Sequence, residues 1–430
     1  MRLNLIRITL FLVLGLTRAV NAASFNDANW SPLGSGVNNW VYALATSGTN
    51  LYAAGEFTTA GGRAASHVAQ WNGSTWSALG SGMSGGADGP IVLALATSGS
   101  TLYAGGNFTN AGGVAAASIA QWTGTNWSAL GSGISGWVNE LAVSGTNLYA
   151  GGEFTSAGGH AANYIAQWNG SSWSALGSGM NAQVYALAVS GNTLFAGGFF
   201  TNAGGVAANY VAQWNGTNWS ALGSGMNNTV SALAVMGGTL YAGGHFANAG
   251  GTLVNYIAKW NGTNWSPIGS GMDGVVEALG VSDGELFAAG VFTNAGGVPA
   301  NYIAQWNGTN WSSLGSGMND WVYALAGAPG VMYAGGTFTR VGVGTFDYVV
   351  TANLPITPAI VTTNSAFGFT NGVFGFDVTG TFGNSVIIQA SADFQTWFPL
   401  RTNVFGSGPL YFSDPLSSIN SQRFYRVAGK

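Results

Sequence analysis

The chain has 430 residues, of which 47% are hydrophobic, only 6% are charged and 70 are glycine, with a formal net charge of −4. So little charge beside so much Val, Leu, Trp, Phe and Tyr excludes a disordered chain, and the lack of clustered Lys and Arg excludes nucleic acid as a partner. There is no cysteine, so stability must come from burial and from how the fold closes on itself, not from disulfides.

Residues 1–22 carry Arg2 and Arg7, then the apolar run Ile8 to Leu16, then the small-residue stretch Val20-Asn21-Ala22. This is the pattern of a secretory signal cleaved near Ala22. The apolar run is short of the roughly 20 residues that span a bilayer, and no later stretch approaches that length. An exported protein, secreted or at the cell surface, is expected. Without Arg2, Arg7 and Arg18 the mature chain keeps seven basic residues against 14 acidic ones, a formal charge of −7.

From residue 23 the chain repeats itself. The string W-S-x-L-G-S-G begins at Trp30, Trp76, Trp127, Trp173, Trp219, Trp265 and Trp311, with Ile268 for the leucine in one copy, at intervals of 46 residues except for one of 51. A fixed period of this length is one supersecondary unit copied in tandem. Within a repeat, runs such as Val184 to Ser190, Leu194 to Thr201, Tyr210 to Gln213 and Trp219 to Met226 are bounded by Gly, Asn and Ser and show no helical period, which predicts four short strands. Between the third and fourth lies Trp-Asn-Gly-x-x-Trp, as at Trp71 and Trp76, with Trp122-Thr123-Gly124 as a variant. Asn-Gly predicts a tight hairpin turn at positive φ, with the two indoles facing each other across it.

Four strands in 46 residues predict the blade of a β-propeller, and seven copies predict seven blades over residues 23–354. The phase of the repeat predicts closure. The chain starts with a spare W-S-x-L-G-S strand at Trp30, and the seventh repeat ends near Asn353 one strand short; pairing them leaves no open edge.

The combination L-Y-A-G-G-x-F-T followed by A-Q-W-N-G-x-x-W-S-x-L-G-S-G-M resembles kelch-type propeller repeats. It resembles more closely the secreted bacterial repeat proteins akin to the fungal cortical-marker proteins of cell polarity. The resemblance spans residues 30–353 and implies the propeller fold. Three repeats depart from it: the diglycine is Ala54-Gly55 in repeat one and Ala289-Gly290 in repeat six, and repeat seven lacks the second Gly-Gly seen at Gly61-Gly62. Local irregularity is expected there.

After Pro355 and Pro358 the period stops. Runs at Val373 to Val378, Ser385 to Gln389, Leu410 to Ser413 and Arg423 to Val427 predict a small β-sandwich over residues 355–430. V-I-I-Q-A-S-A-D-F-Q-T-W-F-P-L and the final R-F-Y-R-V resemble a carboxy-terminal module of large exported bacterial proteins. Ser391-x-Asp393 with Trp397 resembles a sialidase Asp-box, but Gln395 replaces its glycine and the tryptophan falls one residue short.

The longer connections, GSGMNAQ-like and TNAGGVAAN-like, are expected on one face of the ring, where function usually sits. Entering the first strand of each repeat, the residue varies: Trp40, Ile91, Trp137, Gln183, Thr229, Val275 and Trp321. Two positions on stand Tyr42, Leu93, Asn139, Tyr185, Ser231, Glu277 and Tyr323, while the valine between never changes. Closure would make repeats one and seven neighbours, gathering Trp40, Tyr42, Trp321 and Tyr323 into one aromatic patch beside Asn38, Asn39, Asn319 and Asp320. Aromatic faces with amide and carboxylate neighbours suit a sugar ring; the competing reading is that these rings only pack the channel.

Catalytic constellations are poor. His67, His160 and His245 fall in alternate repeats and are expected as singletons, not a metal triad. Copper chemistry of the galactose-oxidase kind needs a cysteine thioether and fails here. Among the acids Glu56, Asp88, Glu140, Glu153, Asp273, Glu277, Asp283, Glu285 and Asp320, Glu140 and Glu277 both fall in the first strand of their own repeats but are one residue out of phase and three repeats apart, so no hydrolytic pair is expected. Calcium at Asp273 or Asp320 lacks a D-x-D-x-D-G string. Nine Asn-Gly-Ser/Thr and Asn-Trp-Ser sequons, from Asn72 to Asn310, follow from turn chemistry, not modification. The A-G-G strings are not dinucleotide fingerprints, because no helix follows them. The expectation is a monomeric, non-catalytic recognition or scaffold protein without cofactor or metal, binding an extracellular glycan or a surface protein through Trp40, Tyr42, Trp137, Tyr185, Trp321, Tyr323, Asn39 and Asp320. The alternative is a polysaccharide-active hydrolase or lyase with its site at the channel mouth.

Overall fold

A computed structural model describes residues 25–86, 89–354, 359–361, 368–370, 373–379, 385–391, 396–404, 409–415 and 424–429. The signal-like segment 1–22, Asp88, Pro355, Pro358, Asp393, Gln395 and Arg423 lie outside them. The chain divides into two compact units, one spanning Asn26–Ala352 and the other containing Asn353–Lys430.

Among the described residues the first unit is all-β apart from a 3-10 turn at Asp27–Asn29. Each repeat contributes an antiparallel four-stranded sheet, and there are seven of them. In repeat four, for example, Val184–Ser190, Thr193–Gly198, Val211–Trp214 and Trp219–Ala221 pair in chain order. The seventh sheet is completed from the far end of the sequence: Trp30 pairs with Ala352 and Pro32 with Val350. The inner strand of each sheet packs on that of the next, and Val41–Ser47 of sheet one also packs on Val322–Ala328 of sheet seven.

Two tryptophan positions hold neighbouring sheets together. The paired indoles of Trp71 and Trp76 lie 5.6 Å apart, and those of Trp306 and Trp311 5.3 Å. The second indole of each pair donates its N–H to a carbonyl of the preceding sheet, as Trp173 does to Leu130 at 2.9 Å. Trp30 repeats this contact across the sequence termini, donating to Leu314 at 3.2 Å. Asp27 adds a second tie, accepting from the Ser316 amide at 2.6 Å and the Ser316 hydroxyl at 2.7 Å.

The turn between the indoles differs from the tight Asn-Gly turn expected. Four residues separate Trp71 from Trp76, only Gly73 takes positive φ (+96°), and Asn72 instead accepts from the Ser74 and Thr75 amides at 3.0 and 2.9 Å. An Asx-type side-chain bond thus replaces the second left-handed residue.

The conserved-looking diglycine has two separate reasons. A Cβ on Gly335 would press on the Val41 side chain of the adjoining sheet, whereas one on Gly336 would run into the Trp321 carbonyl. The first can be met by a side-chain shift and the second only by moving backbone. Hence Ala54 and Ala289 are accommodated, each fully buried, with the same strand register as elsewhere, and the irregularity expected in repeats one and six is not found. In repeat seven the small hairpin also forms, Val341 pairing with Gly344, with Val343 pointing fully outward.

Beyond the four expected strands, the connection between second and third strands forms a two-residue hairpin in each repeat, such as Thr59–Ala60 with Arg63–Ala64. The invariant valine (Val41, Val138, Val184) is completely buried, and the residue after it is a β-bulge in every inner strand, which shifts the pleat by one residue.

In the second unit, Val373–Thr379 pairs with Ala359–Val361, Gly368–Thr370 and Leu410–Asp414, while Ser385–Ser391 pairs with Phe398–Val404 and Phe424–Gly429. Phe376, Ile388, Phe412 and Tyr425 form its apolar cluster. The Tyr425 hydroxyl donates to buried Asp414 at 2.8 Å. The Asp-box-like segment keeps Trp397 beside the Arg426 guanidinium, 4.3 Å from the ring centroid.

Candidate functional site

The loop before each inner strand and the hairpin of the same repeat lie side by side: Val37 bridges Ala60, and the Asn38 side-chain oxygen accepts the Thr58 and Thr59 amides at 2.8 Å each. The long connections therefore share one face, and the variable residues line its centre.

Four of the expected site residues come together. Trp40 meets Tyr42 edge-on at 6.3 Å, Tyr42 meets Tyr323 at 5.5 Å, and Tyr323 meets Trp321 edge-on at 5.9 Å. This run crosses from sheet one to sheet seven, whose inner strands pack on each other. The Tyr42 hydroxyl donates to the Glu56 carboxylate at 2.9 Å. Burial, followed by that bond and the negative charge of Glu56, pushes the Tyr42 phenol far above the ordinary tyrosine range. Burial and the nearby Glu277 and Asp320 carboxylates raise Tyr323 as well. Both phenols are protonated donors at any physiological pH.

The polar neighbours are less available than the sequence implies. Asn38 and Asn319 hold the adjacent hairpins, Asn319 accepting the Thr339 and Arg340 amides at 3.0 and 2.8 Å. Asn39 and Asp320 each accept the amide of the following tryptophan at 2.9 Å. They fix where Trp40 and Trp321 leave the backbone instead of reaching past the rings.

Trp137 and Tyr185 stand apart from this run. Trp137 pairs with Glu153 at the edge of sheet three. Tyr185 lines a separate cavity of about 400 Å³ with Phe199, Ser231, His245 and Glu277. The expectation of singleton histidines fails there: His245 Nε2 lies 3.5 Å from Glu277 Oε1, across the boundary between sheets five and six. His67 is held by its own repeat, Nδ1 lying 3.2 Å from the Gly55 carbonyl oxygen, and burial lowers its pKa. His160 is exposed on a hairpin.

Glu140 and Glu277, three repeats apart, face the same space although they are out of phase in the sequence. Both line a single axial cavity of about 150 Å³, with Tyr42, Tyr323 and a ring of alanines that includes Ala43, Ala186 and Ala324. Glu140 occupies in repeat three the position that is alanine in the other six. Burial pushes its carboxyl up to about 8, against a smaller downward pull from the Leu141 amide. Asp273, the calcium candidate, is instead engaged: Thr293 and Asn294 each give it one backbone and one side-chain hydrogen bond, and these outweigh burial and hold its pKa at about 2. No cluster of three or more His, Asp or Glu able to hold a metal ion occurs among the described residues.

Sequence reasoning missed one variable ring. The residue after the diglycine is Glu56, Asn107, Glu153, Phe199, His245, Val291 or Thr337, different in nearly every copy of a string otherwise almost constant. That variation was the available signal.

Among known families, the Rax2 C-terminal beta propeller domain matches residues 91–237, and a beta-propeller domain of unknown function (DUF5122) matches residues 282–311. With the repeated four-stranded sheets, these matches assign the chain a β-propeller fold. No curated protein matches it. Similar solved structures include the beta-propeller domain of the Trilobed protease from Pyrococcus furiosus, at 10% identity and TM-score 0.39 over 71% of this chain and 93% of that one. Others are a glycoside hydrolase, at 11% identity and TM-score 0.26 over 67% and 93%, and the computationally designed Ika4 protein, at 17% identity and TM-score 0.27 over 39% and 89%. No helix among the described residues is long and apolar enough to cross a membrane.

Proposed function

We propose that this β-propeller is an exported, non-catalytic recognition protein that binds carbohydrate on its long-loop face, at the aromatic run shared by sheets one and seven. In this reading residues 23–354 form a closed seven-bladed ring, residues 355–430 a carboxy-terminal β-sandwich, and residues 1–22 a secretory signal.

One observation carries the binding reading. The tryptophans of the sheet hairpins are buried or nearly so, whereas Trp40 is 41% and Trp321 43% exposed, at the two ends of the run through Tyr42 and Tyr323. Packing alone accounts for a buried indole. An exposed pair anchored by Asn39 and Asp320 instead offers rigid apolar faces that cost little conformational entropy on binding.

A polysaccharide-cleaving enzyme has one observation in its favour, a protonated Glu140 and a second carboxylate, Glu277, lining one cavity, as general acid–base chemistry requires. That cavity is about 150 Å³, below the roughly 300–1,000 Å³ of ligand sites. The non-catalytic reading is therefore preferred. A glycan array at neutral pH, run beside a reducing-end assay on the same polysaccharides, separates the two. Trp40→Ala and Trp321→Ala should each weaken binding roughly tenfold to a hundredfold; binding that survives both rejects the seam site, and reproducible cleavage rejects the non-catalytic assignment.

A further inference from the structure

The cavity between sheets four, five and six adjoins the seam run only through Glu277, which lies near Tyr323, and its rings and polar groups are otherwise different ones. At about 400 Å³ it falls within the range of ligand sites. Phe199, 53% exposed, stands in its wall where the other repeats carry mostly polar residues, and is steadied edge-on by Tyr210 at 6.2 Å. Tyr185 supplies a second ring from the same sheet. From the opposite side come Ser231, His245 and Glu277, and Ser231 and Glu277 also line the axial cavity, so the two spaces share a wall.

The charge of this wall is one-sided. Among the described residues, Glu277 is the sole carboxylate lining the cavity, neither Lys nor Arg lines it, and the one basic group is the His245 imidazole beside Glu277. An anionic ligand would meet Glu277 unfavourably. A neutral sugar would offer that carboxylate only hydroxyl donors, whereas an ammonium gives it a hydrogen bond between two opposite charges. A ligand with an apolar ring face and an ammonium group satisfies both halves of the cavity: C–H face on Phe199 and Tyr185, ammonium on Glu277 in place of the imidazole, hydroxyls on Ser231.

We propose that this cavity binds an amino sugar with a free amine, such as a glucosamine unit of a deacetylated glycan. The inference shares with the proposed function only the saccharide ring; the ammonium preference rests on Glu277 and His245, which the seam run does not contain.

The test uses the full chain and calorimetric titration with the glucosamine trimer and the N-acetylglucosamine trimer at pH 6. The amine form is expected to bind at least about tenfold more tightly, the usual scale of a charge-assisted hydrogen bond. Glu277→Gln should abolish that preference, and Phe199→Ala should weaken the glucosamine trimer about tenfold. The double variant Trp40→Ala/Trp321→Ala, which removes the two exposed indoles of the seam run, should leave the amine preference intact. Equal affinity for the two trimers, a preference that persists in Glu277→Gln, or one that vanishes in the seam double variant would each overturn the proposal. Folding of the variants is checked by their far-UV spectra and urea midpoints, and Glu277→Asp, which keeps the charge, should retain part of the preference.

Discussion

Glu140 places an ionisable group where six repeats keep a methyl, and its effect on stability can be worked from the structure. The folded state holds the proton up to about pH 8, while the unfolded chain releases it near the ordinary value of 4.5. Between those values unfolding releases a proton, so raising the pH favours the unfolded chain by about 1.4 kcal/mol per unit. Stability that is fully present below pH 4.5 is therefore lost progressively, by roughly 3 kcal/mol at pH 7 and on the order of 4 to 5 kcal/mol above pH 8. Glu140→Gln removes the titration and keeps the volume; Glu140→Ala restores the alanine ring. Urea unfolding of the chain and both variants at pH 5, 7 and 9 should give curves that converge at pH 5 and separate at pH 9, with the unsubstituted chain the least stable. A difference that stays flat across this range would show that Glu140 is solvated in the channel and refute the argument.

Other outcomes follow from the packing. Gly198→Ala should destabilise by about 3 kcal/mol or more, because its Cβ meets the Gln183 carbonyl, whereas Gly197→Ala, facing the Val230 side chain, should cost about 1 kcal/mol, the difference being read from denaturant midpoints. Trp30→Ala should cost about 3 to 5 kcal/mol and release the amino-terminal strand to limited proteolysis, since it removes a buried indole and its bond to Leu314. Asp27→Ala should produce the same proteolytic signature at a smaller cost, about 1 to 2 kcal/mol, by breaking the two bonds to Ser316. For Asp273, whose pKa is held at about 2, stability present above pH 4 should fall away as the pH drops toward 2; exposure of the group limits the effect to about 1 kcal/mol, and Asp273→Asn should abolish it in acid-unfolding curves.

Much of the architecture was legible because a repeat states each position seven times. The period located the strands, the Trp-Asn-Gly-x-x-Trp strings located the hairpins, and the offset between the strand at Trp30 and the one ending near Asn353 anticipated that these two strands pair. The gathering of Trp40, Tyr42, Trp321 and Tyr323 followed from the same offset, since it needed only that repeats one and seven be neighbours. Turn geometry was less legible: Asn-Gly is compatible with a two-residue turn, but the side chain of Asn72 reaches two amides of a longer loop.

What the sequence determined by itself is periodic: strand count, pairing order and the equivalence of positions, all fixed by local pattern and by the need to cover sheet edges. What only the tertiary structure decided is which of the equivalent positions reach the axis. Strict alternation puts Glu140 and Glu277, one residue out of phase, on opposite faces of their strands. The bulge after each invariant valine breaks that alternation at this point, so that consecutive residues line the cavity: both carboxylates face it, and His245 meets Glu277 across sheets. A bulge depends on backbone pairing with the neighbouring strand, and composition and spacing do not record it.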